Sequence, residues 1–145
     1  AVQQDEAGQW VPLLGGEAGG LVFRRDGRQL MVADRAARQL SIFDLATKRP
    51  LTSLRLAVRP DYICAKPDGG QVFISGEGMD AVVTVYPYQT EVANTMLAGR
   101  NPGVMAVSAA WQYLLVANPD SDNVTIVSIN NQRVLAVVNF FKELK

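Results

Sequence analysis

Five acidic residues, Asp34, Glu77, Asp80, Asp120 and Asp122, each lie in a short polar loop between two apolar runs, where a carboxylate could do chemistry. In Asp120-Ser121-Asp122-Asn123 the oxygen-bearing side chains alternate as in a Ca²⁺ loop, but the glycine and the closing Glu of an EF-hand loop are missing. The competing account is that these Asp and Asn side chains bond their own backbone and shape turns, and no metal site is assigned. A second set is basic. Arg59 and Arg100 occupy equivalent loops, and Arg35 and Arg38 lie in a loop expected to open on the same side. Together they would make an anion-attracting rim, unless they are simply solvated. The candidate binding residues are therefore Arg35, Arg59, Arg100, Asn118, Asp120 and Asp122.

The chain contains no histidine. Within it this excludes Ser-His-Asp and Cys-His nucleophiles, His-ligated zinc or copper, and imidazole acid–base catalysis. The lone Cys64 sits in an apolar run, cannot form an internal disulfide, and reads as a small buried residue rather than a nucleophile. Trp10 and Trp111 read as packing residues. The glycine-rich stretch 15–20 precedes a strand pattern and not a helix, so it is a loop and no phosphate cradle. With no catalytic constellation, the chain is expected not to be an enzyme, and no cofactor is expected.

These loops are positioned by a repeat. RRDGRQLMVAD, KPDGGQVFISG and SAAWQYLLVAN align with a step of 42 residues both times, from 26 to 68 and from 68 to 110. The same step puts Pro60 over Pro102, and Ala33-Asp34 over Ser75-Gly76 and Ala117-Asn118. One slip is expected, Val83 answering Leu40 and Val124 through an extra loop residue in the middle repeat. Each repeat is dense in Val, Ile, Leu, Phe and Thr in short runs bounded by Gly, Pro, Asn and Asp, with nothing long enough for a helix pair. A period in the low forties with several short strands per period marks propeller blades. The expected fold is therefore all-β: a β-propeller of four-stranded antiparallel blades, three of them in this chain.

The expected division is an N-terminal segment 1–18, blade 1 at 19–60, blade 2 at 61–102 and blade 3 at 103–145. Residues 10–14 (WVPLL) have the register of the outer strand of a preceding blade. Three blades do not close a ring, so the chain is expected to be a partial propeller or half of an oligomeric ring, completed by self-association or by further blades. The bare faces are expected to carry Val22, Val32 and Ile42 at one end and Val116, Ile126 and Val137 at the other.

The 145 residues are 48% apolar, and 14 basic residues cancel 14 acidic ones. A neutral chain with no basic stripe argues against nucleic acid as a partner. The longest mostly apolar run, 104–117, is shorter than the about 20 residues a membrane helix needs. The start, AVQQDEAGQ, lacks the basic-then-apolar pattern of a leader.

FRRDGRQLMVAD, SIFDLATK and LVAN followed by DNVTIV resemble the bacterial YVTN-type repeat, whose pattern runs roughly PDG-x-x-LYVAN, SN-TVSVID, a basic turn and VVATIPVG. The likeness covers three repeats, with Gly76 replacing the pattern's Asn in the second and Ala110-Trp111 replacing Asp-Gly in the third. The resemblance implies a seven-bladed propeller of secreted, periplasmic or surface-layer bacterial proteins, used for binding or scaffolding, and it carries over no catalytic residues. The expected function is a non-catalytic binding or scaffolding propeller, meeting a protein partner or a small ligand at the propeller mouth. The alternative is part of a propeller enzyme, lactonase-like or quinoprotein-subunit-like, with its reactive groups outside this chain.

Overall fold

The computed structural model describes residues 16–24, 27–87 and 91–140. Residues 10–14 and Asp26 lie outside them. Among the described residues twelve strands form three four-stranded antiparallel sheets, each in sequential order. Blade 1 holds β1 (Ala18–Phe23), β2 (Gln29–Asp34), β3 (Gln39–Asp44) and β4 (Arg49–Arg55). Blade 2 holds β5 (Tyr62–Ala65), β6 (Val72–Ser75), β7 (Ala81–Tyr86) and β8 (Glu91–Leu97). Blade 3 holds β9 (Met105–Val107), β10 (Tyr113–Asn118), β11 (Asn123–Ser128) and β12 (Arg133–Asn139). The innermost strands β1, β5 and β9 lie side by side in that order. Among the described residues the only helical turn is a 3-10 turn at Pro119–Ser121.

The repeat is exact in hydrogen bonds, which removes the expected slip. Leu56, Ala98 and Phe140 donate backbone N–H groups to Arg38, Asp80 and Asp122 carbonyls. Each donor and each acceptor is one full repeat beyond the last. Val82, not Val83, is therefore the counterpart of Leu40 and Val124. The first turn of each blade obeys the same spacing, with Gly27, Gly69 and Trp111 donating to the carbonyls of Arg24, Lys66 and Ser108. All three have positive φ, 69°, 76° and 59°. Glycine enters that region freely, while Trp111 holds it at a cost.

Each blade is apolar on both sides because it is sandwiched. The leading face of blade 1 (Met31, Leu40, Ile42) meets the trailing face of blade 2 (Val72, Ile74, Val83, Val85) in one core. The leading face of blade 2 (Phe73, Val82, Met96) meets the trailing face of blade 3 (Leu114, Val116, Val127, Ile129) in the next. Burying side chains of this size stabilises by about 1.5–3 kcal/mol each.

Strand pairing assigns the two outer faces differently from the expectation. Ile42 is 3% exposed in the first core, and Val22 packs against it. The trailing face of blade 1 carries Val32, together with Leu30, which pairs with Phe43. Val116 is fully buried against blade 2, and Val137 shares its side through Thr125. The leading face of blade 3 carries Leu115 paired with Ile126, and Val124 paired with Val138. A strand shows alternate residues to opposite faces, so an assignment off by one residue selects the wrong side.

Gly76 has a steric reason to replace the Asn of the repeat pattern. A Cβ there would stand 1.8 Å from the Arg59 carbonyl oxygen and 2.8 Å from the Asp61 nitrogen. Those atoms belong to the crossover into blade 2 and cannot yield alone. Gly76→Ala is expected to cost about 2–3 kcal/mol in urea denaturation, whereas Gly27→Ala, with nothing within 4 Å of its added methyl, should cost only its positive-φ strain.

Candidate functional site

Antiparallel order brings two kinds of loop to one end of every blade. These are the turns joining second and third strands (35–38, 76–80 and 119–122) and the crossovers into each inner strand (56–61 and 98–104). Hydrogen bonds lock the two kinds together. In the crossover into blade 2, Arg59 N–H donates to Glu77 O, and Asp61 N–H donates to Ser75 O. In the crossover into blade 3, Gly103 N–H donates to Ala117 O, Asn101 N–H to Asp80 Oδ1 and Arg100 N–H to Ser121 Oγ.

The charged centre of this face is Asp61, a residue the sequence reading did not single out. Its side chain is only 12% exposed, and its Oδ1 lies 2.8 Å from both Arg35 Nε and Arg59 Nε. The Arg59 contact is a hydrogen bond, with a second at 3.1 Å from Arg59 Nη2 to Oδ2. Arg35 is close without that alignment, its Nε making no hydrogen bond. Asp61 Oδ2 also accepts the Glu77 N–H at 3.1 Å. The network runs outward to Glu77, 3.0 Å from Arg59, and to Glu17, 3.6 Å from Arg35. Burial opposes ionisation of Asp61, but the hydrogen bonds from Arg59 and Glu77, and the charges of Arg59 and Arg35, outweigh it and hold the carboxyl below its ordinary range. Arg59 is raised above its ordinary value chiefly by its hydrogen bond to Asp61.

The six candidate residues separate on this face. Arg35 and Arg59 are half-buried and engaged by carboxylates. Asn118 is fully buried, its Nδ2 donating to Thr125 Oγ1 at 2.8 Å and Asn123 Oδ1 at 2.9 Å. It packs on Gly99, where a Cβ would lie 2.5 Å from its own. Its counterparts Asp34 and Gly76 are buried too, and Asp34 Oδ1 accepts the Ala37 N–H at 3.1 Å. Arg100, Asp120 and Asp122 are exposed. Asp120 accepts the Asn101 Nδ2 at 2.9 Å, and Asp122 takes the left-handed conformation that closes the 3-10 turn. Arg100 stands clear of ion pairs among the described residues.

Charge is segregated by this topology. Among the described residues the loop face gathers Glu17, Asp34, Asp61, Glu77, Asp80, Asp120 and Asp122 against Arg35, Arg38, Arg55, Arg59 and Arg100, so acids prevail. At the opposite end Arg24, Arg28, Lys48, Arg49, Lys66 and Arg133 outnumber Asp44, Asp68 and Glu91. A neutral sequence thus becomes a polar body. Cys64 lies half-buried on β5, its thiol pushed up by burial. Among the described residues no group of His, Cys, Asp and Glu is arranged to hold a metal, and no helix is long and apolar enough to cross a membrane.

Neither a protein-family model nor a curated protein matches the sequence. Solved structures do match, and β-propeller proteins are among them. Hydrazine synthase of Kuenenia stuttgartiensis aligns at 14% identity over 93% of this chain and 39% of its own, with a TM-score of 0.79. The periplasmic gluconolactonase of Pseudomonas aeruginosa aligns at 21% identity over 92% of this chain and 43% of its own, with a TM-score of 0.78. The WD40 repeats of RRP9 align at 11% identity over 83% and 38%, with a TM-score of 0.74. At these identities the likeness establishes the β-propeller fold and nothing finer. The chain spans about two-fifths of the length of these structures. The expectation that the chain is not an enzyme is corrected by this comparison. A gluconolactonase is an enzyme, and it is built on the same blades, so regular blades without an inserted motif are no mark of a non-enzyme.

Asp61→Asn should cost about 1–3 kcal/mol at neutral pH, because it weakens charge-assisted bonds and leaves Arg35 and Arg59 less compensated. The stabilisation belongs to the ionised form. It is fully present above the unfolded carboxyl value of about 3.9 and is lost as pH falls through the lower folded value. Urea midpoints of wild type and variant, well separated at neutral pH, should converge in strong acid.

Proposed function

We propose that this chain supplies part of the recognition face of a β-propeller, with the loop end of the blades as the binding surface. The observation that carries this reading is the locking of crossovers and second-to-third-strand turns into one continuous polar rim. Asp61 and Asn118 hold the rim rigid, while Arg100, Asp120 and Asp122 stay exposed. Rigid support beneath exposed polar groups is what selective binding needs, because little ordering then remains to oppose association. Arg59 is neutralised by Asp61 and Glu77, and acids prevail over the whole face, so a free anion is a poor ligand. Mixed carboxylate, amide and guanidinium groups suit a neutral polyhydroxylated molecule, whose hydroxyls both donate and accept.

A second reading is favoured by one observation. The gluconolactonase among the similar structures acts, by its name, on a sugar-acid lactone, which is such a molecule. On this reading the chain is part of a propeller lactonase, and the exposed acids are its candidates for moving protons. The YVTN-type repeat character belongs to the proposal as well. So does a periplasmic, secreted or cell-surface place in a bacterium, which the periplasmic setting of that gluconolactonase supports.

Glucono-1,5-lactone titrated calorimetrically, with sorbitol as a non-lactone control, distinguishes these readings. Binding of both, weakened tenfold or more in an Arg100→Ala, Asp120→Ala double variant with unchanged melting temperature, is the expected result. Hydrolysis above the spontaneous rate would select the lactonase reading. Equal affinity in wild type and variant would remove the rim from the site.

A further inference from the structure

Trp111 occupies the first turn of blade 3 at φ 59°, where blades 1 and 2 place Gly27 and Gly69 at φ 69° and 76°. The turn is held by the Trp111 N–H donating to the Ser108 carbonyl and by Ser108 Oγ accepting the Tyr113 N–H at 3.1 Å. Glycine would make the same bonds without strain. The indole is 41% exposed, so packing within the chain does not account for the tryptophan. Strain kept where the repeat elsewhere supplies glycine points to a use for the side chain. Nor would a further blade cover it. Gly27 holds the same position with blade 2 on its flank, and a Cβ there would meet nothing within 4 Å. A side chain at this position projects off the end of the propeller, however many blades the ring has.

The surroundings of Trp111 select the partner. In blades 1 and 2 this turn carries Arg24, Arg28, Lys66 and Asp68, whereas in blade 3 it reads Ser108-Ala109-Ala110-Trp111-Gln112, uncharged and exposed from 109 to 112. The same end of the body has a basic excess among the described residues, with Arg28, Lys48, Arg49 and Arg133 exposed. Two of its acids are engaged in their own turns. Asp44 accepts the Ala46 and Thr47 N–H groups, and Asp68 lies 3.1 Å from Lys66. An indole on an uncharged tip, at an end rich in cations, suits an anionic lipid surface. Its ring is amphipathic and settles at headgroup depth, while the negative surface potential draws the basic residues.

We infer that this end of the propeller docks on an anionic membrane surface, with Trp111 entering the headgroup layer and the exposed basic residues facing lipid phosphates. The segregation of charge sets the orientation, because the acidic loop face is repelled and points away from the membrane. Attachment of this kind lies on the bilayer and needs no spanning segment, and it does not depend on what the opposite rim binds.

Co-sedimentation with lipid vesicles tests this. The chain should bind mixed phosphatidylglycerol–phosphatidylcholine vesicles, bind pure phosphatidylcholine about tenfold more weakly or less, and come off in high salt, which screens surface charge. In a Trp10→Phe background, which leaves Trp111 as the sole indole, fluorescence should shift to the blue on binding. Trp111→Gly should weaken binding about fivefold or more while its urea midpoint stays at or above that of wild type, because glycine relieves the positive φ. Arg49→Glu combined with Arg133→Glu should weaken binding about twenty-five-fold or more at an unchanged midpoint, each basic residue near such a surface contributing about fivefold. A wild-type chain that ignores the anionic vesicles, or binds them with no fluorescence shift, would overturn the inference. So would a Trp111→Gly variant that binds as wild type does, or one whose midpoint falls, since Trp111 would then be a packing residue. A blue shift with polyglutamate and none with vesicles would assign the surface to an acidic protein and overturn it too.

Discussion

A four-stranded sheet that is apolar on both faces is unstable in water unless something flat and apolar lies on each side of it. Every other feature of this chain follows from that. Three blades satisfy the condition for each other at two interfaces, where Met31, Ile74 and Val85, then Phe73, Leu114 and Val127, lose nearly all contact with solvent. The unvarying repeat length is a consequence, because an inserted residue would turn a strand's apolar side outward. The hydrogen bonds from Leu56, Ala98 and Phe140 hold that register at the outer strands.

Sandwiching also decides where polar chemistry can reside. Strand interiors are committed to packing, so charged groups collect at the two ends of the blades, and crossovers lie over neighbouring turns at one of them. A backbone pressed that closely against the next blade tolerates little bulk, which accounts for Gly76 beneath Arg59 and Gly99 against Asn118. Its orphaned polar groups need partners, and Asp61 and Asn118 meet that need by bonding several donors or acceptors at once. The rim thereby gains stiffness from the residues least able to touch a ligand, while exposed Arg100 and Asp120 face solvent on that support.

Much was legible in the sequence. Alternating apolar runs, Asp-Gly turns and a constant step pointed to blades of four strands, and three four-stranded antiparallel sheets are what the described residues form. These are local properties, set by side-chain period and turn conformation, and a chain displays them in its residue order. Cys64 was expected to be buried and is half-buried on β5.

Other features were decided only by the tertiary structure. Arg59 reads as a free cation in the sequence, and it becomes half of an ion pair because the turn of blade 2 brings Glu77 to it and the crossover curls Asp61 back onto it. Asn118 reads as a loop residue and is buried because Gly99 of the neighbouring crossover closes over it. The polarity of the body is invisible in a net charge of zero, since it depends on which loops share an end. Which of two adjacent apolar residues faces the next blade, as at Ile42 and Phe43, depends on pairing register between strands. Composition and period specify what a blade is made of, whereas contacts between residues distant in the chain settle what each loop residue is free to do, because the energy of a charge or a buried amide is set by neighbours that sequence order does not reveal.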